Sequence, residues 1–289
     1  MPCVTNAIHF SLFTFYFMNL FITWPFAPEI GTICGITLRW YGICFAFGLF
    51  LAGWYLYVCL KRMGYTQSQF ESLLIYLFVG IFAGARLVHC LCYEPNYYLA
   101  HPLEIILPVT ILSNGSWQFS GYHGFASHGG AAGVALALWL FCRRNKANFW
   151  PLSDLLAIAT MLAGSLIRVG NLFNSEIVGA PTDVPWAFVF PLYDGIPRHP
   201  TQIYEATFYL TLFAATAVWY THRRLPAGFF LGLIMLLVGI FRFAIEFLKE
   251  VQEPFERGMV LDMGQWLSLP LIALGVLVLI LRRNKSVNQ

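Results

Sequence analysis

"LSDLLAIATMLAGSLIRVGNLFNSEIVG", residues 152–179, runs apolar for most of its length and then turns polar, setting Arg168, Asn171, Asn174 and Glu176 among glycines. The apolar part, 152–169, is close to the roughly 20 residues a helix needs to cross a hydrocarbon layer about 30 Å thick. An arginine where such a span ends either reaches out to lipid headgroups or turns inward to a polar partner. The rest of the chain decides between the two.

The 289 residues are 58% hydrophobic and 11% charged, with a mean hydropathy of +0.67. Soluble domains carry roughly 25% charged residues, so this is a polytopic membrane protein. Backbone groups in lipid must be paired within their own segment, which makes every span a helix and the fold all-α. Seven transmembrane helices are expected, at 40–60, 70–92, 125–142, 152–169, 201–220, 227–247 and 264–281, with Pro and Gly collecting at their borders.

A formal charge of +3 is too small to argue for a nucleic-acid partner. The basic residues gather in "KR" at 61–62, "RRNK" at 143–146, "HRR" at 222–224 and "RRNK" at 282–285, after the first, third, fifth and seventh spans. Placing these junctions in the cytoplasm puts the amino terminus outside and the carboxyl terminus inside. The connections 93–124 and 170–200 then face outward as an arm and a small head. Residues 1–26 lack a basic leader and a cleavage site, and read as an interfacial arm or an additional short span. The stretch 103–112, with Glu104 and Pro108, is too short to cross and reads as surface-lying or re-entrant. Seven cysteines, at 3, 34, 44, 59, 90, 92 and 142, show no CxxC pair or metal-like spacing and read as packing thiols.

In that topology Arg86, Arg168 and Arg242 lie on the three helices that run outward. An arginine at a helix centre costs roughly 2.5–3.5 kcal/mol on insertion scales, so the three are expected to face one another across an internal cleft. Arg242 also has Glu246 four residues on, as half of a simple helix pair. Guanidinium forks suit phosphate oxygens, and low local polarity strengthens the attraction. A phospholipid-headgroup site is therefore expected, with the lipid bound, moved or consumed.

Three polar clusters adjoin that cleft. "GYHGFASHGGAAG", 121–133, opens the third span with His128, a residue able to take a proton near neutrality, and with His123 as a weaker candidate. Its glycines serve either close helix contact or room for a bulky substrate. "PRHPTQIYEA", 197–206, opens the fifth span and places Gln202 and Glu205 three apart on one helical face, beside Arg198, His199 and Tyr204. Pro200 suits the helix start. Tyr41 in "LRWYG" is either an aromatic-belt residue or a phenol facing the cleft.

"LIRVGNLFNSEIVG" resembles the signature segment of the prolipoprotein diacylglyceryl transferases, and it is joined in order by "RWYG" (39–42), "GARL" (84–87), "SHGGAAG" (127–133), "RHPTQIYEA" (198–206), "FRFAIEF" (241–247) and "MGQWLSLP" (263–270). The resemblance covers nearly the whole chain as a single membrane-embedded domain. It implies a multi-pass enzyme of the bacterial inner membrane. Its substrates would be phosphatidylglycerol and the lipobox cysteine of a preprolipoprotein, joined through a thioether with release of glycerol phosphate in the first step of lipoprotein maturation. It implies phosphate or headgroup binding by Arg168 and Arg242, supported by Arg86, with Asn171, Asn174, Glu176 and Gly179 shaping the head. Tyr41, His128, Gln202, Glu205 and Glu246 fall on polar positions around the same cavity. The chain departs from the family in Val238, where many members have tyrosine, in "LKEVQEPF" after the sixth span, and in Ala131 and Ala132.

The implied chemistry is attack of the cysteine sulfur on the glyceryl carbon bearing the phosphate ester. His128 is the first candidate to take the thiol proton and His199 its competitor. No cofactor or metal enters this scheme. A transporter of phospholipid or anionic solute, binding with the same cations, is the rival reading.

Overall fold

Helix dominates the computed structural model, as backbone pairing in lipid requires. It describes residues 21–33, 36–107, 109–111, 116–119, 124–222, 225–251 and 258–283. Most of the amino-terminal arm, Cys3, Cys34, His123 and parts of the basic junctions at 222–224 and 282–285 lie outside the described residues. Among the described residues are seven helices of at least 18 residues: α1 (Trp40–Arg62), α2 (Gln67–Val88), α5 (Ser127–Asn145), α6 (Phe149–Phe173), α7 (Thr201–His222), α8 (Phe229–Glu246) and α9 (Met263–Arg282). Five of them, α1, α2, α6, α8 and α9, are long and apolar enough to cross a membrane. This corrects the expectation of seven spans recognisable by apolarity. The two that fall short are the helices that bring polar groups with them: α5 begins "SHGG" and ends "RRN", and α7 carries Gln202, Glu205 and several threonines.

The chain forms two compact units, residues 57–153 and residues 1–56 with 154–289. In the first, Thr66 and Gln69 form a reciprocal cap that starts α2. The helix widens into a π-turn over His89–Tyr93 before Pro95. A short arm follows, with helical turns α3 (Pro95–Ala100) and α4 (Leu103–Ile106) and strands β4 (Val109–Ile111) and β5 (Trp117–Phe119), paired antiparallel. Within the stretch 103–112, read as surface-lying or re-entrant, the described residues form a helical turn and a strand.

Helices α2 and α5 meet through glycine on both sides. Gly80 and Gly84 stand one turn apart on α2, as do Gly129 and Gly133 on α5, and a Cβ on Gly84, Gly129 or Gly133 would collide with the other helix's backbone carbonyls. Close helix contact, rather than room for substrate, explains these residues. We expect Gly133→Val to cost more than the roughly 1–3 kcal/mol of ordinary overpacking, because backbone cannot step aside. Loss of monodisperse protein in detergent would show it, whereas a normal thermal midpoint would overturn it.

In the other unit, β1 (Ile22–Thr23) runs parallel to β6 (Phe188–Val189), which pairs antiparallel with β7 (Pro197–Arg198). Trp24 packs on Phe173 and Phe188, pinning the start of the described chain to the head. A hairpin, β2 (Glu29–Ile33) and β3 (Ile36–Arg39), leads directly into α1. Ile158, Met161, Tyr209, Leu212, Phe230 and Ile234 form a core shared by α6, α7 and α8. Helices α8 and α9 approach through Gly232, Gly239 and Gly275. Buried Asp154 on α6 accepts from the backbone N–H groups of Gly228 and Leu231, both at 2.7 Å, and so caps α8 from a neighbouring helix. These contacts set the height of α8, and therefore of Arg242.

Candidate functional site

The polar string that ends α6 folds into a strained turn. Ser175 and Ile177 adopt φ values of +51° and +56°, and a β-branched residue in this region is a rare conformation costing about 1–3 kcal/mol. Neighbouring elements hold it there. Thr201 Oγ1 donates to the Ile177 carbonyl at 2.8 Å, and Gln202 Nε2 donates to that of Glu176 at 2.6 Å. Gly179 N–H donates to the His199 carbonyl at 3.0 Å, and Ala180 N–H to that of Leu248 at 2.8 Å. The segment passes so closely between these two chains that a Cβ on Gly179 would clash with both carbonyls.

Three helices then deliver charge to one point. The first turns of α7 bury Gln202 and Glu205 completely, at 0% exposure. Glu205 Oε2 lies 2.9 Å from Arg168 Nε on α6, close as an ion pair although the N–H is not aligned for a hydrogen bond. Its other oxygen accepts from Lys249 Nζ at 3.2 Å and stands 3.9 Å from Arg242 Nη1 on α8. Lys249 also pairs with Glu246 at 3.2 Å, and the Tyr209 phenol of α7 lies within electrostatic reach of Arg242. Gly264 makes space for the Glu246 carboxylate, which a Cβ there would approach to 2.6 Å. The Arg242–Glu246 helix pair considered from sequence is therefore replaced by links across helices. Three cations face two carboxylates, leaving one net positive charge in a largely buried cluster.

The cluster is wired to the head. Arg168 Nη1 donates to Asn171 Oδ1 at 3.2 Å, Asn171 Nδ2 to Glu176 Oε2 at 3.2 Å, and Asn174 Nδ2 to the other Glu176 oxygen at 3.1 Å. Tyr41, in the first turn of α1, packs against Gly170 and lies within electrostatic reach of Arg168 and Glu176. Two open clefts, of about 250 and 450 Å³, adjoin this end of the chain and share Arg39 and Asn174. The larger is walled by Thr37–Arg39 of the hairpin and by Tyr41, Gly42 and Ala46 of α1. Neither is lined by Glu205, Arg168 or Arg242.

One unit thus brings together Tyr41, Arg168, Asn171, Asn174, Glu176, Gly179, Gln202, Glu205, Arg242 and Glu246. His199 sits at its edge, with Nδ1 3.3 Å from the Tyr204 hydroxyl, which in turn accepts from Trp186 Nε1 at 2.8 Å. His128 and Arg86 belong to the other unit. There the His128 ring lies 5.8 Å from Tyr93, which His89 covers at the same separation. Arg86 is buried and donates to the Glu104 carbonyl at 2.6 Å and the Ile105 carbonyl at 3.3 Å, with its guanidinium 4.8 Å from the Tyr98 ring centre. It binds the arm together.

Sequence reasoning assigned no role to Lys249 and counted Arg198 only among the polar neighbours of Gln202 and Glu205. Lys249 lies three residues beyond Glu246, a spacing that signals the pair, yet it reads as an ordinary basic residue after a span. Arg198 is buried and joins the head to the chain after α8: it donates to Asp194, to the Gly179 carbonyl at 2.9 Å and to Glu250 at 2.7 Å. The Arg198 guanidinium holds the Asp194 carboxyl below the ordinary carboxylate range. A depressed folded pKa means stabilisation fully present above the unfolded value of about 3.9 and lost as pH falls through the lower folded value. Amide exchange over residues 178–200 should therefore be pH-independent in its protection near neutrality and show weakened protection below about pH 4. Asp194→Asn should lose protection already at neutrality, and an unchanged pattern in that variant would sink the clamp.

Comparisons with known proteins follow this geometry. A family model for prolipoprotein diacylglyceryl transferase matches residues 28–281. The chain is 46% identical to the phosphatidylglycerol–prolipoprotein diacylglyceryl transferase of Bacteroides fragilis, over 89% of this chain and 94% of that protein. It is 42% identical to the enzyme of the same name from Tolumonas auensis, covering 91% and 98%, and 41% identical to that of Porphyromonas gingivalis, covering 93% and 97%. The transporter reading draws no support from these matches.

Proposed function

The chain belongs to the prolipoprotein diacylglyceryl transferase family, and on that premise we propose that it transfers the diacylglyceryl group of phosphatidylglycerol to the lipobox cysteine of preprolipoproteins. The observation that carries this reading to the residues is the single net positive charge around Glu205, which one phosphodiester monoanion balances. It acts as one membrane-embedded transferase domain in the bacterial inner membrane. All seven long helices cross, with the amino terminus and the regions 93–124 and 170–200 on the periplasmic side and the basic helix ends in the cytoplasm.

Arg168 and Arg242 hold the phosphate oxygens. The cysteine sulfur attacks the glyceryl carbon that bears the phosphate ester, a carbon–sulfur bond forms as the carbon–oxygen bond breaks, and glycerol phosphate leaves with the bonding electrons. Negative charge gathers on the departing oxygen, so guanidinium groups stabilise the transition state more than the ground state. The thiol proton passes to a histidine, His128 before His199. Tyr41, Asn171, Asn174, Glu176, Gly179, Gln202 and Glu246 keep the arginines and headgroup in register, and Arg86 supports the site by ordering the arm.

The deciding experiment incubates purified protein with phosphatidylglycerol and a lipobox peptide. A diacylglyceryl mass increment that vanishes when the peptide cysteine is replaced by serine supports transfer. Its absence under conditions in which the Bacteroides fragilis relative is active would overturn it.

A further inference from the structure

Gly42 poses a question that the charge cluster does not answer. It lies in the first turns of α1, and a Cβ built on it meets nothing within 4 Å. A helical glycine costs roughly 0.5–1 kcal/mol relative to alanine, and neither backbone conformation nor neighbouring protein requires one here. Its open side forms part of the cleft of about 450 Å³. We propose that this cleft receives the acceptor polypeptide as an extended strand laid along β3, with Gly42 leaving space for its backbone. The proposal rests on the transferase reading and locates the second substrate within it.

Three observations favour a peptide over a lipid headgroup. The wall is a run of strand, Thr37–Arg39, which among the described strands pairs only with β2, so its outer edge offers backbone donors and acceptors to an incoming chain. Arg39, the charged residue of the larger cleft, is already neutralised by Glu29 at 3.1 Å, whereas the uncompensated cation lies in the Glu205 cluster. Asn174, which lines both clefts, keeps an Oδ1 without a hydrogen-bond partner among the described residues just beneath their wall, an unmet acceptor that a small turn of the side chain would offer to a peptide N–H. That same Asn174 ends the hydrogen-bonded series that begins at Arg168, so a chain seated in the cleft is continuous with the phosphate site.

The test compares Gly42→Val with Gly53→Val in the full-length protein. Gly53 lies on the same helix with equally open space but lines neither cleft. Filling the path of a close-fitting backbone should raise KM for a lipobox peptide by at least about tenfold, leave KM for phosphatidylglycerol within about twofold, and leave Gly53→Val near wild type. An unchanged peptide KM overturns the proposal, and a rise confined to phosphatidylglycerol assigns the cleft to lipid instead. A second measurement needs no variant to fold. A lipobox peptide with a photoreactive residue next to its cysteine should cross-link wild-type protein within residues 37–46 or at Asn174, and mapping elsewhere overturns the site. Cross-linking there without any transfer by the wild-type enzyme would leave the cleft standing and remove the transferase reading.

Discussion

Arg168→Lys should fold normally and lose about 100- to 1,000-fold in kcat, the range seen when one preorganised donor to a developing anion is removed. The substitution separates charge from shape. A lysine ammonium can still pair with Glu205, which the Arg168 Nε approaches at 2.9 Å. It cannot at the same time bond Asn171 and present a planar fork to a phosphate, because its three donors share one nitrogen. Loss should therefore appear mainly in kcat, with a modest change in KM for phosphatidylglycerol, since the fork matters most as charge develops on the leaving oxygen. Single-turnover measurements of diacylglyceryl transfer would establish it. Wild-type turnover in Arg168→Lys, with an unaltered thermal midpoint, would remove the phosphate clamp.

The arrangement also explains which parts of the molecule could be read in advance. Apolar runs, alternate ones closed by basic residues, fall on the seven long helices because lipid leaves the backbone few options, although only five of these are apolar enough to cross on that ground alone. The short strands escaped notice: they span two to five residues, too few for a period-two pattern, and β1 finds β6 across 160-odd positions of chain. The glycines of α2 and α5 were visible as a pattern but open in meaning until Gly84 and Gly129 were seen back to back. Within the site, three-residue spacing exposed Gln202 with Glu205, since helical geometry alone places them on one face, whereas Arg168 and Asn171 stood only as members of one polar string. Lys249 was not exposed that way. Its burial arises because the chain after α8 folds back along Val178–Ala180, a contact no local pattern encodes.

Val238 shows the same limit from the other side. The resemblance drawn from sequence implies a tyrosine one turn before Arg242, and Val238 in its place looks from sequence like a loss to the site. In the folded chain Val238 packs beside the apolar core of α6, α7 and α8, and the Tyr209 phenol of α7 lies within electrostatic reach of Arg242. That phenol comes from another helix, so reading one segment at a time cannot find it.

Glu205→Gln should be the most damaging exchange of near-equal size in the chain. Glutamine fits the volume and keeps hydrogen-bonding capacity, yet it removes the carboxylate shared by Arg168, Arg242 and Lys249, leaving Lys249 with Glu246 and Arg168 with the Asn171–Glu176 series, and the local charge rises by one positive unit. Breaking a buried pair in this way costs about 3–5 kcal/mol, because the partners remain desolvated without compensation. A thermal midpoint at least about 5 °C lower is expected in detergent. Transfer should fall below detection, since Arg168 and Arg242 lose the carboxylate that spaces them. An anion that binds between the arginines ought to return part of the missing charge, so phosphatidylglycerol should raise the midpoint of Glu205→Gln more than that of wild type, in line with preferential binding to the folded state. A neutral diacylglycerol, with the same chains and no phosphate, should not. Equal stabilisation by the two lipids would mean that the acyl chains, and not the phosphate, are what this cluster senses. A variant with full stability and activity would show that Glu205 does not organise the cations at all.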